Sequence, residues 1–272
     1  TEIEKHDLTL ALEGWVNEYP ALNDRTRSSI TAGVFNTLHV FNQGIVREMV
    51  STSTNVSPED MFRGKWILLD VPPSQYGDVG LFLAAGWKYL AQRAILRRHA
   101  TEQSNVVTIW ADESHLFVNS HDAPFVAQCR SRRGCMVSLT QSIHSYYSVL
   151  HGDRGKHEAD ALLTNFGVKV FHALGDADTA KWAAGLIGRS LQTFVGGSMT
   201  PPQDVYDELT KPGKYTGSYS ESYEDTLQAN VFMNGLRTGG HANGLLCDAI
   251  VVRSGEPFKS GENHLFTTFK QE

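Results

Sequence analysis

The rhythm of hydrophobic positions changes near residue 60. Before it, apolar residues recur at helical spacing through Leu8, Leu12 and Trp15, then Ile30, Val34, Leu38, Phe41 and Ile45. Steps of three, four and seven put these side chains on one face of a helix, which predicts amphipathic helices over residues 1–60. Pro20 is expected to separate the two stretches, because proline lacks the amide that a helix interior needs. Ser51–Pro58 reads as a polar loop. Beyond residue 60, short continuous apolar runs alternate with helical stretches. The runs are Trp66–Val71, Val106–Ala111, Cys135–Thr140 and Val168–Ala173. Runs of this kind separated by helices predict a parallel sheet covered on both faces.

A strong helix is predicted over Val79–His99. Leu83, Trp87, Leu90, Ala94 and Ile95 are expected on its core side, with Lys88, Arg93 and Arg97 towards solvent. Asp122–Arg133 and Glu158–Phe166 supply the next crossovers. Asp176–Gly188 follows the fourth run, with Asp176 or Asp178 as N-cap and Gly188 as the stop. Residues 190–244 read as loops, marked by Gly196-Gly197, Pro201-Pro202, Pro212-Gly213 and the Ser/Tyr-rich stretch Tyr215–Tyr223. The tail returns to strand-like sequence in Leu245–Arg253 and His264–Phe269, a terminal hairpin expected on the sheet edge.

Composition narrows the classes. With 41% hydrophobic and 20% charged residues in 272, the chain can form a full core, and wholesale disorder is excluded. Lys and Arg number 24 against 30 Asp and Glu, so a basic coat for nucleic acid is excluded and only a local basic patch remains open. Three cysteines make no disulfide framework and point to a reducing compartment. No run approaches the ~18 apolar residues of a membrane span. The first residue is Thr1.

Candidate chemistry concentrates at the end of the second run, Val106-Val107-Thr108-Ile109-Trp110-Ala111-Asp112-Glu113. Ligands of open α/β sheets sit outside the carboxyl ends of strands. The pair resembles the second nucleotide motif of P-loop ATPases, in which the first carboxylate holds Mg²⁺ through water and the second polarises the attacking water. Asp112-Glu113 could equally cap the following helix. Gln141, at the tip of the next run, can donate to phosphate and accept from water, and so sense a γ-phosphate; a plain loop residue is the alternative. Arg130, Arg132 and Arg133 lie between the two runs. One of them could reach a neighbouring subunit's nucleotide or a DNA backbone, or the three could be a solvated helix end.

The order Gly64–Pro72, Trp110–Glu113, Arg130–Gly134, Leu139–Ser142, Lys181–Arg189 and Leu236–Gly240 resembles the TraG/TraD-like conjugative coupling ATPases of type IV secretion. The resemblance implies a RecA-like P-loop ATPase core with a mostly parallel sheet, preceded by part of an all-helical insertion and ending in a β-hairpin. Residues 1–60 would be the end of that insertion, and residues 61–272 the C-terminal part of the motor domain. It implies ATP and Mg²⁺ as cofactors, Mg²⁺ held by Asp112 through water, and Asp112, Glu113, Gln141 and one arginine in catalysis. It also implies a homo-hexamer, DNA as cargo, relaxosome proteins and secretion-channel ATPases as partners, and a cytoplasmic domain of a bacterial inner-membrane protein.

No G-x-x-x-x-G-K-[ST] occurs. Gly152-Asp153-Arg154-Gly155-Lys156-His157 has its glycines too close, and His157 stands where a Ser or Thr belongs. The phosphate loop and membrane helices are therefore expected outside these 272 residues, so that the chain alone is inactive; a degenerate, non-hydrolysing paralogue is the alternative. Ser114-His115 after the acids is read as leaving both carboxylates untouched. A zinc site from Cys129, Cys135, His121, His144 and His151 is rejected on spacing, and so is a Ser114/His115/Asp112 triad. Gly239–Gly244 reads as a turn. Tyr215–Tyr223 is read as a surface loop ahead of a base-stacking platform. Three functions stay open: a coupling ATPase, a related hexameric ring ATPase outside conjugation, and a non-hydrolysing platform that docks a relaxosome protein or substrate through residues 190–244.

Overall fold

The computed structural model describes residues 2–42, 44–150, 155–199 and 215–272. Pro201-Pro202, Pro212-Gly213, His151 and Gly152–Arg154 lie outside the described residues. The chain divides into two compact units, one running to Leu83 and one beginning at Ala84.

The described elements of the first unit up to residue 50 are helical. They include α1 (Glu2–Leu12), a π-helical stretch at Glu13–Glu18, α2 (Tyr19–Ala21), α3 (Asp24–Leu38) and α4 (Gly44–Val50). The break falls at Asn23, not Pro20. The Asn23 side chain accepts from the Thr26 amide at 2.8 Å and caps α3. Pro20 follows directly on the π-helical stretch, whose widened turn is closed by the Tyr19 amide donating to the Gly14 carbonyl. Trp66–Val71 is not a strand: no described strand pairs with it, and Trp66 is 100% exposed. The chain then enters α5 (Pro73–Arg97), whose first turn is set off by Gly77 at φ 55°.

In the second unit, β1 (Val107–Ala111) and β2 (Gly134–Ser138) pair in parallel, Val107 opposite Gly134 and Ala111 opposite Ser138. Thr108 and Trp110 face outward, so β1 is covered on one face only. Between the strands run a 3₁₀ turn at Ser114–Phe117, α6 (Asp122–Gln128) and a second 3₁₀ turn at Cys129–Arg132. After β2 come α7 (Ile143–Val149) and α8 (Gly155–Asn165). The fourth apolar run does not join the parallel pair. It forms β3 (Val168–Phe171), which lies antiparallel to β6 (Leu246–Arg253), and β7 (His264–Lys270) pairs antiparallel to β6 at the edge. The expected single, mostly parallel sheet is thus replaced, among the described residues, by a small parallel pair and separate antiparallel sheets.

Against β3 and β6 packs α9 (Ala177–Ile187), with Phe171, Ala180, Ala183, Ala184, Phe232 and Ile250 in one core. The alanines let the helix approach closely, and Phe171 meets Trp182 and Phe232 edge-on. Asp176 is the N-cap of α9, and Gly188 ends it at φ 100°. Residues expected to be loops form a two-stranded antiparallel ribbon, β4 (Arg189–Met199) and β5 (Tyr215–Asp225), followed by α10 (Ala229–Asn234). Leu191, Phe194, Val195, Tyr219 and Tyr223 supply the β-favouring side chains that the serine and glycine content obscured.

Lys88 was expected in solvent and is buried. Its Nζ donates to Asp122 Oδ2 at 2.5 Å and to the Phe117 carbonyl at 2.7 Å, while Gln92 Nε2 donates to Asp122 Oδ1 at 2.7 Å. Leu90, expected in the core, is exposed. The core face of α5 is therefore rotated towards Lys88, Ala91, Gln92 and Ile95. Desolvation lowers the Lys88 pKa, and the Asp122 charge opposes that shift.

Candidate functional site

Strand β1 ends at Ala111, and Asp112 and Glu113 emerge from its carboxyl end. The ladder continues past the strands: the Leu139 amide donates to the Ala111 carbonyl at 2.9 Å, and the Ser114 amide donates to the Leu139 carbonyl at 3.0 Å. The chain turns sharply between these bonds, with Glu113 in the left-handed region at φ 46°. That conformation costs an L-residue about 1–2 kcal/mol and needs support from its surroundings. Support comes from Ser114, whose hydroxyl donates to the Leu139 carbonyl at 3.0 Å and is 2.6 Å from the buried Tyr146 hydroxyl. Burial pushes the Tyr146 phenol up, so it stays a neutral hydrogen-bonding group.

The turn brings the two carboxylates and the amide together. Gln141 Nε2 donates to Glu113 Oε1 at 3.1 Å, and the Glu113 amide donates to Asp112 Oδ1 at 3.0 Å. His115 Nδ1 lies 3.5 Å from Glu113 Oε2 and 3.2 Å from the Thr140 hydroxyl. The reading that Ser114-His115 leaves the carboxylates untouched is therefore corrected: the 3₁₀ turn after Glu113 folds His115 back beside it. Asp112 is exposed. One of its oxygens meets the Glu113 amide, and the other has no hydrogen-bond partner among the described residues. Hard carboxylate oxygens in this setting fit Mg²⁺.

Behind Gln141, two helix N-termini are tied together. Ser142 caps α7 by accepting from the His144 amide at 3.1 Å, and its hydroxyl donates to Asp176 Oδ2, the cap of α9, at 2.9 Å. Asp176 also accepts from the Thr179 hydroxyl and from the amides of Asp178 and Thr179. The Thr179 hydroxyl, ahead of Ser142 and the amides, holds the Asp176 carboxyl at about 2. Among the described residues, the group able to gather round a metal ion is His144, Asp176 and Asp178, and not the cysteines.

The arginines lie at the other end of the parallel pair. The strand register separates them from the acids by the five residues of β2, about 17 Å. Arg132 Nη1 donates to the Arg98 carbonyl at 3.2 Å, and Arg133 Nε to the Ser104 carbonyl at 2.6 Å. Arg130 is exposed, and its guanidinium is uncommitted among the described residues. It lines a cleft of about 640 Å³ with Leu96, Ala127, Gln128, Ser131 and Arg132, without a carboxylate in the lining. Arg237 makes a two-pronged bond to Asp248, 2.7 Å on each side, which holds that carboxyl well below the usual carboxylate range.

Comparison with known proteins gives a match over part of the chain. Residues 107–228 match the family model described as the TraM recognition site of TraD and TraG. No curated protein matches the chain. Among solved structures, the unbound monoclinic form of the bacterial conjugative coupling protein TrwBdeltaN70 superposes with a TM-score of 0.48 at 16% identity. The match covers 74% of this chain and 38% of that one, so this chain spans well under half of that protein's length. Residues 107–228, somewhat under half of the chain, are thus similar to the TraM recognition site of TraD and TraG.

Proposed function

We propose that the chain is the C-terminal part of a conjugative, type IV secretion coupling ATPase that moves DNA or a protein–DNA complex by hydrolysing ATP. The observation that carries this reading is the 3.1 Å bond from Gln141 to Glu113 across the carboxyl ends of two paired parallel strands, inside the segment that matches the family. In this reading Asp112 holds Mg²⁺ through water, and the ion supplies charge neutralisation at the phosphates. Glu113 accepts the proton of the attacking water. Gln141 bridges Glu113 and the terminal phosphate, so the amide registers whether that phosphate is present. His115 orients the Glu113 carboxylate from its other oxygen.

The phosphate-cradling loop and a membrane anchor are supplied, in this proposal, by sequence outside the 272 residues. Residues 61–272 complete a RecA-like motor in a bacterial inner-membrane protein, and residues 1–60 are the end of its helical insertion. Subunits assemble as a hexamer. Arg130 is the arginine best free to act on a neighbouring subunit's nucleotide, since Arg132 and Arg133 are spent on carbonyls. Residues 190–244 dock a relaxosome protein. A docking platform without hydrolysis is the second reading, favoured by the absence of any phosphate-loop motif in the sequence.

DNA-stimulated ATP hydrolysis separates the two. The product of the complete reading frame should hydrolyse ATP faster with DNA, and the 272-residue chain alone should turn over negligibly, because phosphates need the amides of the missing loop. Robust turnover by the isolated chain overturns the division of the motor. No turnover by the complete product favours the platform.

A further inference from the structure

The β4–β5 ribbon has two unlike faces. The register places Leu191 opposite Tyr223, Thr193 opposite Glu221, and Val195 opposite Tyr219. Side chains alternate along a strand, so all six project to one side. Leu191 is 53% exposed, Val195 85%, Tyr219 78% and Tyr223 68%. On the other side, Ser190, Gln192, Ser222 and Glu224 are half-buried at the base of the ribbon, and Phe194 is 47% exposed farther along it. An isolated two-stranded ribbon is marginal in water, and a bare apolar face on one is normally a contact surface.

The charge on this face is specific. Glu221 stands at its centre, two residues from each tyrosine, and has no ion-pair partner among the described residues. The other acids are committed: Asp225 pairs with Arg189 at 3.4 Å, and Glu224 accepts from Ser222 at 3.0 Å. A cation seated over Glu221 would lie between two tyrosine rings, each about 7 Å along the strand. Carboxylate attraction and the negative ring faces would act on it together. Nucleic acid fits poorly, since its phosphates would meet Glu221. A second copy placed face to face by a two-fold axis would bring Glu221 against Glu221. Among the described residues no further strand pairs with the outer edge of either strand, so an extended segment can add alongside.

We infer that this face binds an extended, arginine- or lysine-bearing segment of a partner protein, the basic side chain seated on Glu221 between Tyr219 and Tyr223. The inference deepens the docking role proposed for residues 190–244 and is independent of nucleotide chemistry. It is tested by fluorescence anisotropy with the 272-residue chain and a labelled ten-residue peptide of alternating arginine and valine. The peptide with glutamate in place of arginine and a single-stranded oligonucleotide are run beside it. The arginine peptide should bind, and Tyr219→Ala and Tyr223→Ala should each weaken it about tenfold. Glu221→Lys should abolish that binding and confer binding of the glutamate peptide, a swap that a merely unfolded variant cannot produce. Arginine-peptide binding that is indifferent to Glu221→Lys overturns the assignment to this face and leaves the docking role standing. Oligonucleotide binding lost in Tyr219→Ala, or a dimer dissociated by Tyr219→Ala, gives the face to another occupant and overturns the inference. Capture of neither peptide by the wild-type chain overturns the inference and removes its support for the docking role.

Discussion

Glu113 occupies a backbone conformation that L-residues avoid, and every bond around it has a reason to keep it there. Ser114 ties the turn to Leu139 and Tyr146, while Gln141 and His115 approach the carboxylate from its two oxygens. Tyr146→Phe removes one buried partner of Ser114 and should cost about 1 kcal/mol in a denaturant titration; no change would mean the hydroxyl pair does not support the turn. Asp176 gives a pH signature. Its carboxyl is held at about 2 against an unfolded value of about 3.9, so its contribution is complete above the unfolded pKa and is lost as pH falls through the folded one. Asp176→Ala should therefore lower the urea midpoint at pH 7, and the gap from wild type should close between about pH 4 and pH 2. A gap that stays constant to pH 2 would contradict the role given to its ionised form. The placement of Asp112, Glu113 and Gln141 beyond the ends of β1 and β2 was legible in the sequence, because they come just after short apolar runs. His115 was not, because its approach depends on a 3₁₀ turn that no apolar period encodes.

At the scale of elements, the helices were read well where caps spoke for them, as with Asp176 and Gly188 around α9. The faces were read less well. A lysine on α5 looked like a solvent residue, yet it is buried because Asp122, 34 residues later, comes to meet it. Pairing across that distance leaves no local mark. Lys88→Met would leave Asp122 buried without its cation and should destabilise by about 3–5 kcal/mol in thermal or denaturant unfolding. Replacing both residues with apolar ones should recover much of that loss, and a double variant as weak as the single one would show that the pair is not the cause. The strands divide similarly. Apolar runs announced β1, β2 and β3, but a run carries no record of which strand it will pair with or in which direction. Hence β3 was expected in a parallel sheet and is found antiparallel to β6. The ribbon was missed because glycine and serine within it resemble loop composition, although its alternating Tyr219, Glu221 and Tyr223 have the two-residue period of a strand.

Across the whole molecule, the acids and the arginine cleft stand at opposite ends of one parallel pair, and a strand is too rigid to bring them together within a chain. In the proposed motor, an arginine of this cleft would reach a nucleotide held at Asp112 and Glu113 only between subunits, which is the use proposed for Arg130. A net charge of −6 leaves DNA contact to local basic patches. If the motor reading holds, DNA affinity of the complete protein should fall steeply as salt rises, and a flat response in a gel-shift series would argue against phosphate contacts. Hydrolysis by the proposed motor depends most directly on Glu113. The measurement is nucleotide trapping and steady-state hydrolysis by the product of the complete reading frame, wild type against Glu113→Gln. The predicted result is a fall in turnover of about 10²–10⁴-fold with ATP still bound. Hydrolysis undiminished by the substitution would contradict the catalytic role assigned to this turn.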